Sequence, residues 1–336
     1  MSGAIDTLFL PFASGDIDPP AEGARLAFLN AAVPPLPAGF AGSALACEQG
    51  FRPAFLALQR AGFDTVPHLA AAEGLFDGCL VLAGRHKGEN QALVARACAL
   101  VKPGATVVVC GEKTVGIQPL RKWAGDRVEI AGSLAKHHAT VFWFAAPGPE
   151  VFAGALQPTT LVADRFETAP GMFSHTCPDA GSVMLAAHLD QRIKGAVADF
   201  GCGWGYLSAG VLEKGRPGSL ALFEAHYPSL KAAERNLAPM AGDVKLAANW
   251  CDLTSEPVAR QFEWIVMNPP FHAGRASEPD IGKAFIAAAS KALVPGGRLL
   301  MVANRKLPYE QALAQGFRRV EEKEVRDGFK VVEAMR

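Results

Sequence analysis

Val197-Ala198-Asp199-Phe200-Gly201-Cys202-Gly203-Trp204-Gly205 is the stretch on which the fold turns. Gly195 to Phe200 is a short apolar run with an acid, Asp199, near its end. Gly201 to Gly205 is a glycine-rich turn, and Tyr206 to Lys214 then has the pattern of a helix. A strand, a tight turn and a helix open a βαβ unit. Glycines let the backbone turn sharply and approach a ligand with no Cβ in the way. In an open α/β sheet that ligand lies beyond the carboxyl ends of the strands. The spacing is not the dinucleotide fingerprint G-x-G-x-x-G, because three residues after Gly203 stands Tyr206. That difference disfavours a nicotinamide oxidoreductase.

Downstream, strands and helices alternate. Ser219 to Phe223 reads as a strand, Pro228 to Leu237 as a helix, and Val244 to Ala248 and Phe262 to Met267 as strands. Ile281 to Leu293 reads as a helix, Pro295-Gly296-Gly297 as a turn and Arg298 to Ala303 as a strand. Phe317 to Ala334 reads as two strands around Asp327-Gly328. Such alternation implies βαβ units and a mostly parallel sheet, with the late hairpin adding an antiparallel strand.

The first half of the chain echoes this order. Leu75 to Leu82 resembles Phe262 to Met267, Gln91 to Leu100 resembles Lys283 to Leu293, and Thr106 to Cys110 matches Arg298 to Val302. Val101-Lys102-Pro103-Gly104 is set against Val294-Pro295-Gly296-Gly297, and Ala83-Gly84-Arg85-His86 against Asn268-Pro269-Pro270-Phe271. An internal duplication follows. Nothing before Gly111 resembles the glycine turn at Gly201, so the first copy reads as a degenerate domain without cofactor. The expectation is an α/β chain of two tandem Rossmann-like domains, residues 1–150 and 151–336. The second carries a seven-stranded, mostly parallel sheet, and Pro147 to Pro158 begins the linker.

Composition agrees with this plan. The chain has 336 residues, half of them apolar, and a formal net charge of zero. That length suits two domains of about 150–170 residues. No uninterrupted apolar run reaches the roughly 18–20 residues of a membrane helix. Met1 to Pro20 carries Asp6, Asp16 and Asp18 and no basic start, unlike a signal peptide. The seven cysteines are scattered without a C-x-x-C, which argues against disulfides and zinc and for a reducing cytoplasm. Neutrality argues against an indiscriminate nucleic-acid binder. It leaves room for local basic clusters at Lys113, Arg121 and Lys122 and at Arg305 and Lys306.

The chemistry lies in two places. Asp199 can accept from a positively charged amino group, directly or through water, which suits S-adenosylmethionine (SAM). Glu224, at the end of the next strand, can bind both hydroxyls of a ribose. Asn249 and Trp250 end the third strand, where the adenine should lie, and Asp252 is a rival to Asn249 for that contact. Cofactor contacts are thus expected from Asp199, Gly201, Cys202, Gly203, Glu224, Asn249, Trp250 and Asn268.

The second place is Asn268-Pro269-Pro270-Phe271, directly after a buried strand. Two prolines fix φ, remove two donors and leave carbonyls free to accept. The Asn268 side-chain oxygen and the Pro269 carbonyl can then both accept from one amino group, tilting its nitrogen toward a methyl donor. Phe271 can stack on the target base, and His272 can take the released proton. Asn268, Pro269, Pro270 and Phe271 are the catalytic candidates. No metal is needed.

With these residues in view, the chain resembles the small-subunit ribosomal RNA guanine-N2 methyltransferases and their large-subunit relatives. The resemblance covers nearly the whole chain. It rests on Phe173-Ser174 with Asp179-Ala180-Gly181-Ser182, on the glycine turn, on Asn268 to His272, and on Val302-Ala303-Asn304 with Leu307-Pro308-Tyr309. The pattern departs at His175, Cys177 and Pro178, where basic and aliphatic residues are more usual. The resemblance implies a degenerate first domain that helps position RNA or supports the catalytic one. It also implies that Phe173 to Ser182 close over the methionine end of SAM and the target base, with Phe173, Ser174, Phe271 and His272 as the residues that meet the base. The expected partner is ribosomal RNA or the small ribosomal subunit, met by a cytoplasmic monomer. A glutamine-N5 protein methyltransferase or an adenine-N6 nucleic-acid methyltransferase could use the same four residues. A non-enzymatic RNA-binding factor would have no need of them.

Overall fold

The computed structural model describes residues 2–70, 75–156, 160–270 and 278–336. One unit comprises Met1–Thr159 with Ala169–Gly171, the other Thr160–Thr168 with Met172–Arg336. The first holds helices α1 (Ser2–Leu8), α2 (Leu10–Ser14), α3 (Arg52–Arg60), α4 (Lys87–Leu100) and α5 (Ile117–Gly125). Its strands are β1 (Arg25–Leu29), β2 (Ala44–Glu48), β3 (Thr65–Val66), β4 (Phe76–Leu82), β5 (Val101–Glu112), β6 (Gly132–Lys136) and β7 (Ala139–Ala145).

The second unit opens with a small hairpin, β8 (Thr160–Val162) and β9 (Phe166–Thr168), and α6 (Ala180–Ala186). There follow β10 (Lys194–Phe200), α7 (Tyr206–Lys214), β11 (Arg216–Glu224), α8 (Tyr227–Leu237), β12 (Lys245–Trp250) and β13 (Phe262–Met267). The chain closes with α9 (Glu278–Ala292), β14 (Leu293–Asn304), α10 (Glu310–Gly316), β15 (Arg319–Arg326) and β16 (Phe329–Met335).

The sheets run β3-β2-β1-β4-β5-β7-β6 and β12-β11-β10-β13-β14-β16-β15, one order repeated. In each, the first five strands are parallel and the closing hairpin is antiparallel. Central strands such as Val197 to Phe200 and Trp264 to Met267 are buried without alternation, because helices cover both faces of a parallel sheet. The edge strand β15, Arg-Val-Glu-Glu-Lys-Glu-Val-Arg, is almost wholly exposed, and its charges discourage pairing with another chain.

Strand register makes the repeat exact to the residue. Leu26 pairs with Gly78 and Val197 with Trp264, so Leu26 corresponds to Val197. Both sheets share a register shift, between Phe76 and Gly78 and between Phe262 and Trp264. Both place a carboxylate there against the first strand: Arg25 N–H donates to Asp77 (2.9 Å) and Ala196 N–H to Glu263 (2.5 Å). The same register corrects the sequence matching by one residue. Pro103-Gly104 stands where Pro295-Gly296 stands, with both glycines at left-handed φ (+83° and +79°). Leu82, not Ala83, occupies the place of Asn268. The expected turn at Pro295 to Gly297 is an irregularity within β14.

A counterpart to the glycine turn also exists. Counting from Leu26 and Val197, Phe28, Asn30 and Ala32 stand where Asp199, Gly201 and Gly203 stand, and Gln49 where Glu224 stands. Asn30 reaches φ +52° without glycine, which asparagine tolerates. The motif is therefore invisible in the sequence.

The first unit extends past residue 150. Pro149–Ala155 forms a 3-10 turn that buries Phe152 in its core beside Trp123 and Phe144. That unit also holds a buried charge. Glu48 accepts two bonds from Arg96 (2.5 and 2.6 Å) and one from Leu69 N–H (2.6 Å). Removing one partner of such a pair leaves a buried charge uncompensated. Arg96→Ala is expected to destabilise the chain by about 3 kcal/mol in urea unfolding; an unchanged midpoint counts against this.

Candidate functional site

Asp199 and the turn after it lie where β10 meets β11, paired through Phe200 and Phe223. Asp199 is fully buried. Its Oδ2 accepts from Ser208 Oγ on α7 (2.6 Å), while its Oδ1 is buried with no hydrogen-bond partner among the described residues. Burial pushes this carboxyl up to about 7, and the charge of Glu224 adds to the shift. Gly201 and Cys202 donate their N–H groups to the Phe223 carbonyl (2.8 and 3.0 Å). Gly201 sits at φ +76°, and a Cβ there would stand 3.3 Å from the Phe285 ring, so conformation and space both call for glycine. Cys202 is buried.

Glu224, at the end of β11, accepts from Gly203 N–H and His226 N–H (2.8 Å each). Burial raises its carboxyl above the usual range, which these two bonds oppose. The acid is thus held at the turn by the backbone.

Asn249 and Trp250 end β12. Asn249 Nδ2 donates to the Leu222 and Ala247 carbonyls (3.1 and 3.0 Å). Trp250 Nε1 donates to the Ala225 carbonyl (2.8 Å), and its ring meets Tyr227 edge-on at 5.4 Å. Asp252 is committed elsewhere: its Oδ1 accepts from Thr254 N–H (2.9 Å) and Oγ1 (2.6 Å), and its Oδ2 from Ser255 Oγ (2.6 Å). Those bonds make Asp252 a turn residue.

β13 delivers Asn268 beside the glycine turn. Its backbone oxygen lies 3.9 Å from where a Cβ on Gly201 would be. Asn268 Nδ2 donates to Asp179 Oδ2 (2.9 Å) and Ser182 Oγ (2.8 Å). Its Oδ1 is buried with no partner among the described residues. Pro269 is buried and Pro270 exposed. Phe271 and His272 lie outside the described residues.

Phe173 is more than half exposed, at 56 %. Its carbonyl accepts from Trp204 Nε1 in the glycine turn (2.9 Å), and the His175 carbonyl accepts from Thr168 Oγ1 (2.6 Å). Between them Ser174 takes φ +50°. Trp204 packs against Phe166 and Tyr206. The Phe173-Ser174 segment is thus tied to the cofactor turn through Trp204, an anchor that the sequence reading had not singled out. Ser208 carries no signal in the sequence either, and Asp179 and Ser182, read there as part of the stretch that closes over SAM and the base, meet Asn268 through their side chains. An Asp-x-x-Ser start to a helix is a readable capping signal, but not one that says which distant side chain it also holds.

Asp199, Gly201, Cys202, Gly203, Glu224 and Asn268 therefore converge at the carboxyl ends of β10, β11 and β13, with Asn249 and Trp250 at the end of β12 beside β11. A buried carboxylate oxygen with no partner among the described residues, a backbone-held acid and a turn without a Cβ at Gly201, Gly203 and Gly205 fit SAM. Among the described residues there is no cluster that could hold a metal ion, and no helix is long and apolar enough to cross a membrane.

Residues 164–333, just over half of the chain, match the family described as the methyltransferase small domain. Ribosomal RNA small subunit methyltransferase C of Klebsiella pneumoniae is 32 % identical over 240 residues, 69 % of this chain and 68 % of that protein. The protein of the same name from Sodalis glossinidius is 32 % identical over 261 residues, 73 % of this chain and 71 % of that one. Among solved structures, the T. thermophilus 16S rRNA N2 G1207 methyltransferase (RsmC), in complex with AdoMet and guanosine, superposes with a TM-score of 0.77. It is 23 % identical, with 99 % of this chain and 91 % of that chain covered.

Proposed function

This chain belongs to the ribosomal RNA small subunit methyltransferase C family, and we propose that it transfers a methyl group from SAM to the exocyclic N2 of a guanine in small-subunit ribosomal RNA. The observation that carries the chemistry is the Asn268 amide, whose nitrogen is occupied and whose buried oxygen has no partner among the described residues. A guanine amino group is a donor that suits it, and the T. thermophilus relative holds guanosine.

When bound, SAM supplies a methyl on a positively charged sulfur. The protein's part is positioning and electrostatics. We assign Asp199 Oδ1 to the cationic amino group of SAM, Glu224 to the ribose hydroxyls, and the backbone of Gly201, Cys202 and Gly203 to close approach. Asn249 and Trp250 are assigned to the adenine, with Asp252 the rival to Asn249; both side chains already hold hydrogen bonds within the protein. Asn268 Oδ1 and the Pro269 carbonyl accept from the target amino group, and Pro270 stiffens the turn. Phe271 stacks on the base, and His272 receives the proton that the methylated nitrogen loses. Phe173 and Ser174 cover the base, a role that the exposed ring of Phe173 supports.

We assign the first unit a supporting or RNA-positioning role without a cofactor of its own. Phe28, Asn30, Ala32 and Gln49 at the places of Asp199, Gly201, Gly203 and Glu224 support that reading. We read the working form as a cytoplasmic monomer; its seven free cysteines are in keeping with a reducing compartment.

The test is tritium transfer from labelled SAM to ribosomal subunits, free ribosomal RNA and total protein, with nucleoside analysis of the products. N2-methylguanosine in small-subunit RNA is the expected result. Label in glutamine or N6-methyladenosine would keep the amide chemistry and reject the substrate.

A further inference from the structure

We propose that Asp179 and Ser182 are positioning residues that set which end of the Asn268 amide faces the target base, a proposal that rests on reading Asn268 as the acceptor. A primary amide is nearly symmetric in shape, and only its hydrogen-bond partners distinguish oxygen from nitrogen. Turned the wrong way, Asn268 would present donors to an amino group that is itself a donor, and methyl transfer would lose its anchor. The choice is made on the far side of the amide. Asp179 Oδ2 and Ser182 Oγ both lie within hydrogen-bond distance of Nδ2 (2.9 and 2.8 Å). An ionised carboxylate only accepts, so an amide oxygen facing Asp179 would meet a repelling acceptor. The partnered nitrogen, and the buried Oδ1 that has no partner among the described residues, follow from that side of the amide.

The clamp is itself fixed. Asp179 caps α6, its Oδ2 also accepting from Ser182 N–H (2.9 Å). One carboxylate oxygen therefore starts the helix and holds the amide. A Cβ on Gly181 would lie 3.0 Å from that oxygen and from the Phe329 ring, so the carboxylate keeps its place only beside a glycine. Asp179-Ala180-Gly181-Ser182 thus works as one device: a cap, a gap and two acceptors.

Capping and clamping separate cleanly by substitution, because serine caps a helix about as well as aspartate but is one bond shorter. Asp179→Ser keeps the cap and withdraws the acceptor from Asn268. Asp179→Asn keeps both, since an amide oxygen can cap and accept. Turnover of the full chain is measured on small-subunit ribosomal RNA from cells lacking it, with SAM affinity by calorimetry and melting temperature alongside. Asp179→Ser is expected to lower kcat by about 30- to 100-fold with SAM affinity and melting temperature close to wild type. Asp179→Asn should restore kcat to within about threefold of wild type, and Ser182→Ala, which removes the weaker acceptor, should fall between. Wild-type kcat in Asp179→Ser beside an inactive Asn268→Ala overturns the clamp alone and leaves Asp179 a cap. An Asp179→Asn enzyme that folds and binds SAM but is as slow as Asp179→Ser also overturns it. Wild-type kcat in Asn268→Ala overturns the reading of Asn268, and the clamp with it.

Discussion

Asn268→Ala is expected to lower kcat by about 10²- to 10³-fold while SAM affinity stays within about threefold, because removing one preorganised transition-state contact costs roughly that much. The side chain touches Asp179 and Ser182 through its nitrogen, and its oxygen has no partner among the described residues, so truncation removes the proposed acceptor for the target amino group. The main SAM contacts proposed here, at Asp199 and Glu224, sit on β10 and β11 and are not altered by it. The target nitrogen is conjugated with its ring and a poor nucleophile. An acceptor that draws its hydrogens out of the ring plane acts on the transition state more than on binding. Single-turnover rates with calorimetric SAM affinity check this. A parallel loss of rate and affinity would mean that Asn268 shapes the cofactor site instead.

The second large effect belongs to Asp199. Its carboxyl is pushed up to about 7, by burial first and by the charge of Glu224 second. In the free protein at pH 6 it therefore mostly carries its proton, whereas a cationic ligand binds the ionised form. Binding must release that proton, so SAM affinity rises with pH up to about 7 and then levels off, by about tenfold per pH unit well below that point. Asp199→Asn is expected to weaken SAM about 10- to 100-fold at pH 8, the range for losing a hydrogen bond to a charged group, and to flatten the pH dependence. Calorimetry from pH 5.5 to 8 measures both, and a flat wild-type profile would refute the assignment. The raised pKa also has a sign for stability. Between about pH 4 and 7 the folded protein keeps a proton that the unfolded chain has lost, so the ligand-free protein becomes less stable as pH rises through that window.

Much of this was legible beforehand because it is written in local chemistry. Gly201 and Gly203 announce a turn that glycine makes at least steric cost, and Asn268-Pro269-Pro270 announces a rigid acceptor after a buried strand. The alternation of runs from Gly195 to Ala334 announces a parallel sheet with a closing hairpin. The duplication was readable from Leu75 to Cys110, where both copies keep apolar strands and helices.

Residues 1–74 were silent, although they hold β1 to β3 and the counterpart of the cofactor turn. There Asn30 reaches a left-handed φ without glycine, and Phe28, Ala32 and Gln49 have replaced the residues that would have marked it. The one-residue offset in matching the copies arose for a related reason. Two Pro-Gly dipeptides can be slid past each other in a sequence, whereas strand pairing admits one register.

By itself, then, the sequence determined the α/β plan, the repeat in its second half, the cofactor turn and the acceptor motif. Each of these depends on residues adjacent in the chain and on φ preferences or hydrophobic periods that adjacent residues set. Tertiary structure decided which atom of Asn268 is held, that Asp252 bonds within its own turn, that Trp204 anchors Phe173, and that Pro149–Ala155 packs into the first unit. Those facts are hydrogen bonds and packing contacts, most of them between residues far apart in the chain. Asp179 and Asn268 are 89 positions apart, and only a folded sheet brings a helix cap against a strand end.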